Sequence, residues 1–365
     1  MNKILFFISL HLAFGCKELE MSMPANAEKS AVDSFQIQGI QSLSEFLNFK
    51  KINDSTFRSL DMQSHEVNYY VNNKNAVFNW KSRIKILPKG YLPCFFCDRD
   101  NACYSINEGG TIFKYNENFL ISDTINLTGL LPFLKNNYCF FSYNSKPLII
   151  LGDTIIGSPS YKELDGYYTW FKEPSMMEFI LKGDSMTNAH SFFTKPSGLK
   201  KIRYPWPAYC YGNNTVALIY PGYDTLYTYN RITRNEKKIP LNNKDFKVSN
   251  NYDPKNIGDM GYNTKYELAS FRYEAVYFNE LTEHYIIISK LPAENKDKTK
   301  AVPFENQHGG ALILDKQFAT VLNVKFEKRY FEPANFFFYP GKGLAMPVFK
   351  NKNTYDTTKF YIYNF

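Results

Sequence analysis

The sequence is short of histidine, of clustered positive charge and of long apolar runs, and each shortage closes off a class of function. Only 5 of its 365 residues are histidine. His11 sits near the start, and His65, His190, His284 and His308 never fall in His-x-His or His-x-x-x-His spacing, so no histidine-led metal site and no metal is expected. Lys and Arg are scattered, and the densest pieces, 200–203 and 296–300, are brief; a chain without a basic stripe is a poor partner for nucleic acid. Gly-x-Ser-x-Gly and glycine-rich phosphate loops are absent, which removes the usual signs of a serine hydrolase or a nucleotide-binding enzyme. No cofactor is expected. Beyond the first residues, no stretch approaches the ~18 uninterrupted apolar residues that a membrane-spanning helix requires.

Cysteine is present but not in metal-binding order. Cys94, Cys97 and Cys103 cluster without a fourth ligand or a nearby histidine, whereas a structural zinc site needs four. The Cys94-Phe-Phe-Cys97 pair lies in an aromatic, strand-like run, not at the helix start a thioredoxin-type site requires. With Cys139 and Cys210 these make five cysteines after Cys16, read as buried thiols or one disulfide, with at least one left unpaired within the chain.

What the chain does have begins at its first residue. Lys3 gives a short positive region, Ile4–Phe14 is apolar except for Ser9 and His11, and Gly15-Cys16 follows. This order reads as a secretory leader, and eleven such residues are too few to span a bilayer, which takes about 17–25. Leu12-Ala13-Phe14-Gly15-Cys16 resembles a bacterial lipoprotein signal, with Leu12 one position early and bulky Phe14 beside Gly15. The resemblance implies cleavage before Cys16 and lipidation of that residue, palmitate included. At about 0.8 kcal/mol per buried methylene, several acyl chains hold a protein on a membrane almost permanently. Residues 1–15 are therefore read as signal peptide and 16–40 as lipidated cysteine and flexible tether, with a single domain over 41–365. The body without its leader has 350 residues and a formal charge of +7. The tether reaches about 25 Å as a flexible coil, and Lys17-Glu18-Leu19-Glu20 is similar to the acidic export tags of surface lipoproteins in Bacteroidota.

From about residue 40 the composition turns aromatic, with 28 Tyr and 32 Phe. Short β-type runs such as 67–71, 76–80, 111–115, 215–220, 285–289 and 360–363 alternate with Asn, Gly, Asp and Pro turns. A helical stripe is hard to find beyond 42–49. Three segments, 109–127, 223–241 and 309–325, share one plan: an apolar strand, a polar turn at Asn116, Asn230 or Asp315, then a more polar strand. That plan suits the outer hairpin of a propeller blade, whose last strand is an exposed edge kept polar. The chain is expected to be all-β, a β-propeller of six blades, with 360–363 completing a blade begun near the N-terminus; packed β-sandwiches are the alternative.

The stretch 271–292 (FRYEAVYFNELTEHYIIISKLP), after a hairpin-rich body and a lipoprotein leader, resembles uncharacterised six-bladed propeller lipoproteins of Bacteroidota, a family defined by a domain of unknown function. The resemblance spans roughly 50–365. It implies fold and compartment and brings no activity with it.

Site candidates are sparse. Asp98/Asp100 and Glu163/Asp165 are close carboxylate pairs of the kind glycoside hydrolysis uses, though both read as solvated turns. Trp170 and Trp206, in aromatic clusters, and His308, before Gly309-Gly310, are candidate binding residues. Two polar insertions, 242–266 and 292–309, read as rim loops, where binding residues usually sit. Ser55, Thr124, Thr154, Ser185, Thr225 and Thr357 each follow Asp, a pattern similar to the O-glycosylation acceptor of exported Bacteroidota proteins and equally to ordinary Asp-Thr turn chemistry. The function read from the sequence is a lipid-anchored envelope protein, in the outer membrane, that binds an unidentified protein or glycan without catalysis. A polysaccharide hydrolase or lyase is the alternative, and a structural envelope role the third.

Overall fold

In the computed structural model, the residues described are 19–22, 31, 33–40, 50–61, 66–74, 76–85, 94–97, 103–106, 111–116, 118–126, 138–140, 146–161, 174–182, 185–202, 205–246, 252–256, 258–293, 308–326, 336–339, 341–348 and 357–365. Two strands, β1 (Leu19–Ser22) and β2 (Asp33–Gln38), precede a first antiparallel unit of β3 (Lys50–Asn53), β4 (Thr56–Asp61), β5 (Glu66–Lys74) and β6 (Val77–Lys85). The second unit is β7 (Cys94–Cys97), β8 (Cys103–Ile106), β9 (Thr111–Tyr115) and β10 (Ile121–Asn126). After β11 (Tyr138–Phe140) come β12 (Ile149–Leu151) and β13 (Thr154–Gly157), then β14 (Pro159–Tyr161), β15 (Met176–Lys182) and β16 (Ser185–Phe192). Strands β12, β13, β15 and β16 form the third unit, while β11 and β14 pair separately. The fourth unit is β17 (Ala208–Gly212), β18 (Thr215–Ile219), β19 (Thr225–Asn230) and β20 (Asn235–Pro240). A helix, α1 (Met260–Ala269), leads to the fifth: β21 (Arg272–Asn279), β22 (His284–Lys290), β23 (Gly309–Leu314) and β24 (Thr320–Phe326). The sixth joins β25 (Phe337–Tyr339), β26 (Gly343–Val348) and β27 (Thr357–Tyr363) to β2.

Hydrophobic burial closes these units into a ring. Val67 of the first packs with Phe113 and Tyr115 of the second. Tyr104 and Ile112 of the second share a cluster with Ile155 and Phe179 of the third and Val216 and Leu218 of the fourth. Ala217 and Leu226 of the fourth meet Val276 and Ile287 of the fifth, and Ile286 and Ile313 of the fifth meet Leu344 and Tyr361 of the sixth. Phe360 and Ile362 of the sixth then pack with Phe57 and Phe78 of the first. Each sheet is apolar on both faces because each is sandwiched by two neighbours, so its middle strands read as nearly continuous buried runs, as in Thr215–Ile219. This is a β-propeller.

Closure falls to β2, the N-terminal strand that completes the C-terminal unit. It pairs antiparallel with β27, placing Phe35 opposite Phe360, and parallel with β6. The Phe35 ring stacks on Phe57 of the first unit at 5.0 Å and on Phe360 at 4.8 Å. Asp33–Gln38 falls in the stretch expected to be tether; its alternating Phe35 and Ile37 are both buried, the period-2 signal of a half-buried strand. Within the same stretch, β1 pairs in parallel with β24.

The three repeated segments are the outer hairpins of the second, fourth and fifth units, and they share a turn. The side chains of Asn116, Asn230 and Asp315 each accept hydrogen bonds from backbone N–H groups two to four residues on. A residue with positive φ then leads into the outer strand: Phe119 at 58°, Arg234 at 54° and Phe318 at 66°. The edge strand β20 is exposed along most of its length, as its polar sequence predicts.

One element departs from expectation. Part of the insertion 242–266, read as loop, forms α1. Its sequence has no apolar stripe, so periodicity misses it. Capping and tyrosine contacts hold it instead: the Asp259 side chain accepts from the Tyr262 N–H at 3.0 Å, an N-cap, and Tyr252 donates to the buried Asn263 at 3.0 Å. The 42–49 segment lies outside the described residues. Among those described, no helix is long and apolar enough to cross a membrane.

Candidate binding site at the mouth of the propeller

Each unit has four antiparallel strands, so successive inner strands run the same way along the axis and begin at the same end. The residues at the starts of β12, β17 and β21 therefore share one mouth, although they are far apart in sequence. Lys146 precedes β12, Trp206 precedes β17, and Arg272 opens β21. The Lys146 ammonium sits over the Trp206 indole, 5.8 Å from its centroid, a cation–π distance. The backbone carbonyl of Lys146 lies 3.5 Å from the buried Tyr209 hydroxyl, one residue into β17.

The fifth unit supplies the charges opposite. Arg272 and Glu274 are ion-paired at 2.7 Å, with Glu267 at the end of α1 4.0 Å from the same guanidinium. Lys290 pairs in register with Arg272 from β22. The ladder skips a residue between Tyr273 and Ala275, so Glu274 occupies a β-bulge, a device that redirects side chains beside functional sites. Tyr273, between the charged pair, is fixed from two sides: it donates to Asp224 at 2.6 Å and accepts from Asn243 at 3.2 Å. Burial and the Asp224 carboxylate push its phenol above the usual range.

The electrostatics are lopsided. Burial opposes ionisation of Glu274, but Arg272, Lys290 and Lys146 together outweigh it and hold its carboxyl below the ordinary value. Burial brings the Lys146 amine down to about 8, with Arg272 adding to the fall and Glu274 resisting it. Among the described residues, the cations Lys146, Arg272 and Lys290 thus gather around the Glu274 carboxylate, with Glu267 beside Arg272.

Among the described residues, the structure brings Trp206 to this mouth and leaves His308 and the hydroxyl residues that follow Asp elsewhere. His308 lies on the same edge of the fifth unit, where Gly309 pairs with Lys290, and its carbonyl accepts from the Leu291 N–H at 2.8 Å. That place is two strands outward, and its buried ring Nε2 makes no hydrogen bond among the described residues. Ser55 and Thr124 are exposed, at the β3–β4 turn and on the outer strand β10, while Thr154 and Thr225 are partly buried at strand starts. Ser185 and Thr357 begin β16 and β27. Cys103 and Cys210 are buried. Cys16, Trp170, Asp98, Asp100, Glu163 and Asp165 lie outside the described residues. Lys146, Arg272, Glu274 and Lys290 were not singled out by sequence reasoning. The signal that finds them is positional: three fall at or just before the inner strand of a unit, and Lys290 stands beside Arg272.

The same fold occurs in solved structures from Bacteroides. A DUF4221 family member from Bacteroides vulgatus superposes with a TM-score of 0.68 at 12% identity, over 92% of this chain and 97% of that one. A putative exported protein from Bacteroides fragilis gives 0.53 at 13% identity, over 95% and 99%. No protein-family model matches the chain, and no curated protein matches its sequence.

Proposed function

We propose that this chain is an exported, lipid-anchored envelope protein whose propeller binds a ligand at the mouth formed by Lys146, Trp206, Arg272 and Glu274. The observation that carries the binding role is the state of Glu274. It is ion-paired and kept ionised by three cations, the opposite of the raised carboxyl that a glycosidase uses as its general acid. The leader read up to Cys16 supports export and anchoring, and the likeness to a Bacteroides protein described as exported supports export. Binding is tested by screening the purified body, residues 17–365, against immobilised envelope and dietary glycans. Retention of one glycan class that is lost on Trp206→Ala supports the reading, and a Glu274→Gln variant that abolishes turnover of a polysaccharide would replace it with catalysis. Anchoring is tested by mass spectrometry of the mature N-terminus: acylated Cys16 supports it, and an unmodified thiol with cleavage elsewhere refutes it. A lyase reading has one observation in its favour, a Lys146 amine titrating near 8, in the range of a general base; an unsaturated sugar product would establish it.

A further inference from the structure

Resting on the reading of this chain as lipid-anchored, we propose that the end of the propeller opposite the mouth is a membrane-docking face, seated on the bilayer that holds the acylated Cys16. The strand directions define that end. Inner strands begin at the mouth, so the turn after each inner strand and the turn before each outer strand fall at the far end. Of the seven large apolar side chains exposed among the described residues, five stand there: Leu120, Ile121, Ile232, Leu281 and Val321. They come from the second, fourth and fifth units. The turns do not require them. The N–H groups of Ile232 and Leu281 donate to the side chains of Asn230 and Asn279. The same place is held by Ser55, Asn118 and Gln317 behind Asn53, Asn116 and Asp315. Where sister turns carry polar residues, an isoleucine 74% exposed adds nothing to the turn and leaves apolar surface in water, a cost that an apolar partner removes.

The occupant is indicated by where the chain enters the fold. Strand β1 runs parallel to β24, with Leu19 opposite Leu322 and Ser22 opposite Lys325. Strand β24 begins at the far end, so β1 is entered from that end. Cys16 precedes Leu19 by three residues, a reach of at most ~11 Å at about 3.6 Å per residue, well short of the stand-off of about 25 Å expected of a free tether. Acyl chains on Cys16 therefore bring lipid to the end of the ring that carries the apolar tips. The tips are single residues on separate units, an arrangement that a flat, deformable apolar layer meets at several points at once. Seated this way, the mouth with Lys146, Trp206 and Arg272 points away from the bilayer, toward ligand in the water.

The experiment is tryptophan quenching in the mature chain reconstituted into phosphatidylethanolamine–phosphatidylglycerol vesicles with brominated acyl chains. Ile232→Trp and Leu281→Trp report on the far end. Met260→Trp, 75% exposed at the start of α1 and at the mouth end, is the control. The parent, with its three native tryptophans, sets the baseline. Tips seated ~5–10 Å into the boundary of headgroups and acyl chains should lose about half of their added emission, with a blue shift, while Met260→Trp loses none. Equal quenching at Met260 and Leu281, or quenching at none of the three, overturns the proposal. With Leu120→Trp as reporter, Ile232→Gln and Leu281→Gln together should reverse most of the quenching; unchanged quenching overturns the role of these side chains, and an unchanged thermal midpoint shows that the variant is folded. Anchoring and orientation fail separately. Mass spectrometry of the mature N-terminus reports the acyl chain. The same reporters in a Cys16→Ser chain, held on a nickel-chelating lipid by an N-terminal hexahistidine tag, report the docked face whether or not Cys16 is acylated, and loss of the pattern there overturns the proposal.

Discussion

Phe35 is the residue on which closure of the ring can be tested. Its ring is 4% exposed and stacked between Phe57 and Phe360, with Phe78 edge-on at 5.9 Å. Burying a phenylalanine side chain removes about 150–250 Å² from water, and at ~25 cal/mol per Å² that contributes roughly 4–6 kcal/mol as an upper bound. The methyl retained in Phe35→Ala lowers this figure and the cavity left behind raises it, so about 4 kcal/mol is expected, inside the ~3–5 kcal/mol range for such core truncations. Unfolding entropy of ~2.1 cal/mol/K per residue, over the 333 residues from Asp33 to Phe365, gives about 0.7 kcal/mol/K for the whole body. The thermal midpoint should therefore fall by about 6 °C. Differential scanning calorimetry of the parent, Phe35→Ala, Phe35→Leu and Leu281→Ala measures it. Phe35→Leu should lie between the parent and Phe35→Ala, and Leu281→Ala, 56% exposed on a turn, should match the parent. A Phe35→Ala midpoint within 1–2 °C of the parent, about a quarter of the expected shift, would show that β2 does not hold the sixth unit to the first.

Other consequences follow from single contacts. Glu274→Gln leaves Arg272, Lys290 and Lys146 without their shared counter-charge; urea unfolding at pH 7 should show a loss of about 3 kcal/mol, as for other broken partly buried pairs, and an unchanged midpoint would refute the charge assignment. Because the folded-state Lys146 value of about 8 lies below its ordinary 10.5, the unfolded chain holds more protons in that window, so this group makes stability rise with pH across it. That rise should be missing in Lys146→Met when unfolding is followed from neutral to alkaline pH. A Cβ at Gly212 would overlap the Phe278 ring, so Gly212→Ala should cost about 1–3 kcal/mol through overpacking and lower the thermal midpoint. Burial pushes the Cys210 thiol up; a thiol reagent at pH 8 should leave it unmodified in the native protein and label it after denaturation, with rapid native labelling counting against its burial.

Much of the architecture is legible in the residues because its physics is local. An Asn or Asp at a fixed place between two strands folds its own turn, and three such turns mark three outer hairpins. Polar β20 reads as an edge because an edge faces water. Where the physics is not local, reading along the chain falls short. Helix α1 has no apolar stripe and depends on Asp259 and the rings of Tyr252 and Tyr266. Trp206 could be picked out as an aromatic beside prolines, but Lys146, before β12, is one of 43 basic residues and carries no mark of its own.

The sequence by itself determined the class of the fold and the polarity of its outer strands, because hydrophobic period and turn chemistry are properties of neighbouring residues. Only the tertiary structure decided that β2 closes the ring and that Lys146, Trp206 and Arg272 face one another. Those residues meet because four-stranded units return the chain to the same end of the axis each time, and burial there is what brings the amine of Lys146 below the ordinary range of a lysine.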